Sequence, residues 1–125
     1  MIFYVFGNSD LVFDSVPLKI LPGLRNMFPE MKFVVKDPNE EWEEIENVTI
    51  IDSAQGIDKV TVFDDLSAFS PPPNISMHDF DAYSNLRFLQ KLGKLKKIKI
   101  ICLPQMMCEN EAISQVSVII RSILL

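Results

Sequence analysis

The chain has 125 residues, 48% of them hydrophobic, with 17 Asp plus Glu against 12 Lys plus Arg and a formal net charge of -5. That size suits one domain spanning residues 1–125, with a sheet buried between helices; the acidic balance argues against nucleic acid as a partner, because phosphate binding needs a clustered basic face. No stretch reaches the ~18 apolar residues of a membrane span, and the amino terminus lacks the charged start and small-residue cleavage site of a signal peptide, so no membrane partner and a cytoplasmic location are expected. Cys102 and Cys108 read as reduced thiols in that compartment, and there is no C-x-x-C.

Ile2, Phe3, Tyr4, Val5 and Phe6 are uncharged and rich in aromatic and β-branched residues, the pattern of a strand covered on both faces. Gly7-Asn8 breaks the run, since Gly takes positive φ freely and Asn tolerates it. Asp14 or Ser15 is placed to cap a helix whose first turn holds Pro17. That helix, from about Val16 to Met27, carries Leu18, Leu21, Leu24 and Phe28 at helical spacing. Pro22 inside it predicts a kink, or an end near Leu21 and a restart. Met31 to Val35 reads as a second strand.

Asp37-Pro38-Asn39 opens an acidic segment, Glu40 to Glu46, that reads as a solvated face with Trp42 and Ile45 turned inward. Asn47 to Ile51 is a clean strand with Asp52 at its carboxyl end. Only seven residues, Gly56 among them, lead from there to Lys59–Phe63; a parallel return needs a dozen or more, so this fourth strand is expected to be antiparallel and at an edge. Pro71-Pro72-Pro73 then holds an extended segment. Ser76-Met77-His78-Asp79 fits the S-x-x-[DE] capping pattern and predicts a helix start near Met77, with Phe80, Tyr83, Phe88 and Leu92 continuing its apolar face to Gly93. The five lysines between Lys91 and Lys99 read as a solvated helix end. Lys97 to Leu103 is a fifth strand, ended by Pro104. A last helix, about Glu111 to Leu124, shows Ile113, Val116, Ile119 or Ile120, and Ile123 at the period of a helix packed on a sheet.

The expected architecture is α/β: a three-layer α/β/α arrangement around a five-stranded, mostly parallel sheet with one antiparallel edge strand. In such a sheet the first and third strands end at one rim, and a helix that precedes a parallel strand begins there too. Asp14, Asp52 and His78 are therefore expected along a common edge. Two carboxylates and an imidazole suit a divalent first-row metal with coordination positions left open. The positive end of the helix would disfavour imidazolium at His78 and keep the ring a competent ligand.

Gly7-Asn8 with an acid seven residues after the glycine, Ile50-Ile51-Asp52-x-x-x-Gly56, and Ser76-x-His78 before a helix together resemble the hydrogenase maturation endopeptidases, the processing proteases of nickel-iron hydrogenase large subunits. The order and spacing cover nearly the whole chain, which looks like a short and divergent member. The resemblance implies a phosphorylase/hydrolase-like fold and a metal set of Asp14, Asp52 and His78, with Gly7, Asn8, Gly56 and Ser76 supporting the loops around it. It also implies recognition of nickel already held by a hydrogenase large-subunit precursor or similar metalloprotein, followed by removal of a C-terminal extension; zinc, cadmium or calcium could substitute for nickel in a crystal. Where the family's first loop usually carries two adjacent acids and a glycine, this chain has Phe13, Asp14 and Ser15. An alternative reading is a non-proteolytic relative that binds a metal or partner protein without cleavage. A nucleotide- or flavin-binding module would call for G-x-G-x-x-G or G-x-x-x-x-G-K-[ST], and neither is present.

Overall fold

The structure is a computed structural model, and it describes residues 2–7, 15–35, 47–64, 76–77, 88 and 90–124. The expectations for Asn8, Asp14, Glu40 to Glu46, Pro71 to Pro73 and His78 lie outside the described residues. In chain order the elements are β1 (Ile2–Val5), α1 (Val16–Met27), β2 (Lys32–Val35), β3 (Asn47–Gln55), β4 (Thr61–Phe63), β5 (Ser76–Met77), β6 (Lys97–Pro104) and α2 (Glu109–Leu124). The sheet runs β2-β1-β3-β6-β4, with β5 paired to β3 off that path. β1 is parallel to β2 and to β3, and β3 is parallel to β6, whereas β4 lies antiparallel on the outer side of β6. The mostly parallel sheet with an antiparallel edge is thus as the short β3–β4 connection requires.

Both described helices pack on one face. Phe3, Val5, Phe33, Ile51, Ile101 and Leu103 meet Ile20, Leu21 and Leu24 of α1 and Ala112, Val116 and Ile120 of α2 there. Phe3 and Phe33 stack across β1 and β2 with ring centroids 5.2 Å apart. Arg25 of α1 donates to the Phe33 carbonyl at 3.1 Å, and the Arg121 guanidinium of α2 lies over the Phe28 ring, 5.9 Å from its centroid. The opposite face buries Phe6, Val48, Ile50, Ala54, Leu95, Ile98, Ile100 and Cys102. No helix among the described residues is long and apolar enough to cross a membrane.

Four local expectations are corrected. Pro22 does not break α1, which runs unbroken from Val16 to Met27. Pro22 is exposed, so water can serve the Leu18 carbonyl that its missing N–H leaves over. Next to it, Gly23 lets α2 approach: a Cβ there would stand 3.0 Å from Ile113 Cδ1. Asp52 is not the tip of its strand, because β3 continues to Gln55. Ser76 and Met77 do not begin a helix but form the two-residue strand β5. Phe88 and Leu92, expected on a buried face, are exposed; the chain reverses at Gly93 and it is Leu95 that enters the core.

Candidate functional site

The carboxyl rim of the sheet is shaped by strands of unequal length. β1 stops at Val5, opposite Ile51, and one further ladder bond follows, from the Phe6 N–H to the Ile51 carbonyl at 2.9 Å. Gly7, half-buried, comes next as the chain leaves the sheet. β3 continues alongside β6, with Asp52 opposite Cys102, Ser53 opposite Leu103 and Ala54 opposite Pro104. β5 pairs antiparallel with the end of β3, Met77 opposite Ala54 and Ser76 opposite Gln55. A strand has two edges, and β6 holds one of them as far as Ala54. β5 therefore occupies the edge that β1 has vacated, and Asp52 and Ser53 fall in the interval between the two.

Asp52 and Ser53 are both wholly buried. Alternation along β3 puts Asp52 on the face of Ile50, Ala54 and Cys102, away from the two described helices. Its Oδ1 accepts the Ser53 backbone N–H at 2.8 Å, which fixes the carboxylate against its own strand. A carboxylate is costly to bury unless hydrogen bonds or an opposite charge repay it, and buried carboxylates concentrate at functional sites. Beside it, the Cys102 thiol is pushed well above the ordinary range, first by burial and then by the negative charge of Asp52. It stays a neutral thiol at physiological pH, which disqualifies it as a thiolate nucleophile. Cys108 is also a free thiol, exposed just before α2.

Of the residues expected at this rim, the structure describes Gly7, Asp52, Gly56 and Ser76. Gly56 follows the last residue of β3 and turns the chain at φ +86°. Ser76 lies on β5, bridged to the same strand that carries Asp52. Among the described residues no group of three or more His, Cys, Asp or Glu side chains could hold a metal ion. Asn8, Asp14 and His78 are outside the described residues; Ser15, which follows Asp14, is the N-cap residue of α1 and accepts the Lys19 N–H at 3.0 Å through its carbonyl. Cys102, which the sequence presents only as a reduced thiol, is the neighbour of Asp52 across the ladder. A signal for it was present: the two central strands read Ile50-Ile51-Asp52 and Ile100-Ile101-Cys102, and the register aligns them residue for residue.

By sequence the chain matches no family model and no curated protein. By structure it matches the hydrogenase maturating endopeptidase HybD from E. coli at a TM-score of 0.62 and 14% identity, covering 97% of this chain and 92% of that one. It also matches an endopeptidase from Escherichia coli determined in solution, at a TM-score of 0.60 and 13% identity, covering 98% of this chain and 93% of that one. At such identities the likeness speaks for the backbone, and over almost its whole length this chain has the fold of that maturating endopeptidase.

Proposed function

We propose that the protein is a metal-recognising endopeptidase that meets nickel already seated in a hydrogenase large-subunit precursor, or a similar metalloprotein, and removes its C-terminal extension. The observation that carries this reading is Asp52: a wholly buried carboxylate at the carboxyl rim, on a strand otherwise built for the core, in a fold shared with a hydrogenase maturating endopeptidase. Asp52 offers a hard oxygen donor of the kind a divalent ion takes, and Asp14 and His78 are the residues we assign to complete the set. Nickel here is part of the substrate, and zinc, cadmium or calcium are ions that the same donors would accept. A bound divalent ion polarises a carbonyl or lowers the pKa of water, which supplies peptide hydrolysis without a serine or cysteine nucleophile. In keeping with that division of labour, the thiol beside Asp52, Cys102, is held protonated.

The test is incubation with a nickel-loaded large-subunit precursor, read by mass spectrometry beside a known maturation protease. Loss of a short C-terminal peptide supports the proposal. An intact precursor that nevertheless binds, with the control enzyme working, moves the assignment to the non-proteolytic binder.

A further inference from the structure

The register of the sheet sets up rows of side chains across the face that carries Asp52. One row reads Tyr4, Ile50, Ile100 and Phe63, aromatic and aliphatic from end to end. The next row toward the carboxyl rim reads Asp52, Cys102 and Thr61, with Phe6 of the same buried cluster on the β1 side. The Thr61 hydroxyl is turned to its own chain, where it donates to the Lys59 carbonyl at 2.9 Å. Cys102 Sγ is therefore the donor atom that the ladder sets directly beside the Asp52 carboxylate.

A buried cysteine by itself is no site, since free thiols fill cores as small apolar groups. The neighbour changes that reading. Positions 98, 100 and 101 of β6 are isoleucine, and the thiol replaces that pattern at the one pair of the β3–β6 ladder whose partner is acidic, with both residues wholly buried. Neighbouring strands stand about 4.8 Å apart. Metal–oxygen and metal–sulfur bonds of about 2.1 and 2.3 Å together reach roughly 4.4 Å, so one ion spans the two side chains with a slight lean of each.

We propose that Cys102 is a further ligand of the metal ion recognised at Asp52, a soft sulfur donor that makes the site favour nickel, zinc or cadmium over calcium and magnesium. The inference rests on the metal-recognition reading above and adds discrimination among the ions that oxygen donors alone would accept. As the metal–sulfur bond forms, the S–H proton passes to solvent and the charge of the cation offsets that of the thiolate.

The test is a cadmium titration of Cys108→Ser protein, in which Cys102 is the sole thiol of the chain. A thiolate-to-cadmium charge-transfer band in the ultraviolet, saturating at one ion per chain, is the expected result. Adding Cys102→Ser removes the band and weakens cadmium binding by at least about tenfold, with calcium affinity within about twofold, in a calorimetric titration. Cadmium uptake by Cys108→Ser protein without the band overturns the inference while leaving Asp52 as an oxygen ligand, and that titration decides the matter even where Cys102→Ser fails to fold. Equal loss of calcium and cadmium affinity in Cys102→Ser overturns the claim of selectivity. A nickel-loaded precursor left uncleaved overturns the protease reading and leaves the sulfur ligand, which is read without precursor, standing.

Discussion

The two faces of the sheet differ most sharply where β3 passes from Ile51 to Asp52. Ile51 lies on the helix-bearing face, enclosed by the side chains of α1 and α2, while Asp52, equally inaccessible to solvent, stands on the other face beside Cys102. One step along a strand reverses the side-chain direction, so a single residue separates a position chosen for packing from one whose charge packing alone would reject. Burial by itself therefore does not identify the core of this protein; burial together with side-chain chemistry does.

That contrast can be broken by experiment. Ile51→Ala is expected to cost about 3–4 kcal/mol of stability through lost transfer energy and the cavity left behind, read by urea unfolding, with nickel affinity of the folded fraction unchanged. Asp52→Asn keeps nearly the same volume and is expected to weaken nickel binding on the order of 100-fold in a calorimetric titration, with the sheet's circular dichroism retained. Equal effects of the two variants on both readouts would erase the distinction between the faces. Cys102 gives a smaller, pH-dependent effect. Its thiol is raised in the folded protein, so the proton is kept there and released on unfolding above the ordinary thiol pKa of about 8.5. Stability from this source is complete below that pH and declines as the pH rises past it, by up to about 1.4 kcal/mol per pH unit. Cys102→Ala should flatten the fall between neutral and strongly alkaline urea titrations. The smallest effect belongs to the surface pair Lys99–Asp64, 3.0 Å apart with both side chains well exposed. Asp64→Ala should change the unfolding free energy by less than about 0.5 kcal/mol.

Much of the architecture can be read from the residues. The uncharged Ile2–Val5 run, the β-branched cluster around Ile50 and the isoleucines of β6 and α2 carry their own periodicity, and the short β3–β4 link fixes the edge strand's direction. Local rules failed where tertiary contacts outweighed them. Ser76-Met77-His78-Asp79 satisfies a capping pattern, yet Ser76 and Met77 pair with the free end of β3, a partner more than twenty residues away that no local window can contain. Pro22 carries a real penalty, which the packing of Ile20, Leu21 and Leu24 outweighs while the proline itself faces solvent. Asp52 was legible as a candidate because a carboxylate after Ile50 and Ile51 is out of place in a core strand. That Cys102 would sit beside it depended on register, which composition does not specify.

The antiparallel bridge between β5 and β3 has a consequence for motion. β3 is held to β6 by eight register pairs but to β5 by only two. A contact so short, between segments more than twenty residues apart in the chain, opens at a far lower free energy than the ladder beside it. Amide hydrogens at Ala54 and Gln55 that depend on it should exchange well before those at Ile50 and Ile51. The rim can thus open locally while the central strands stay shut.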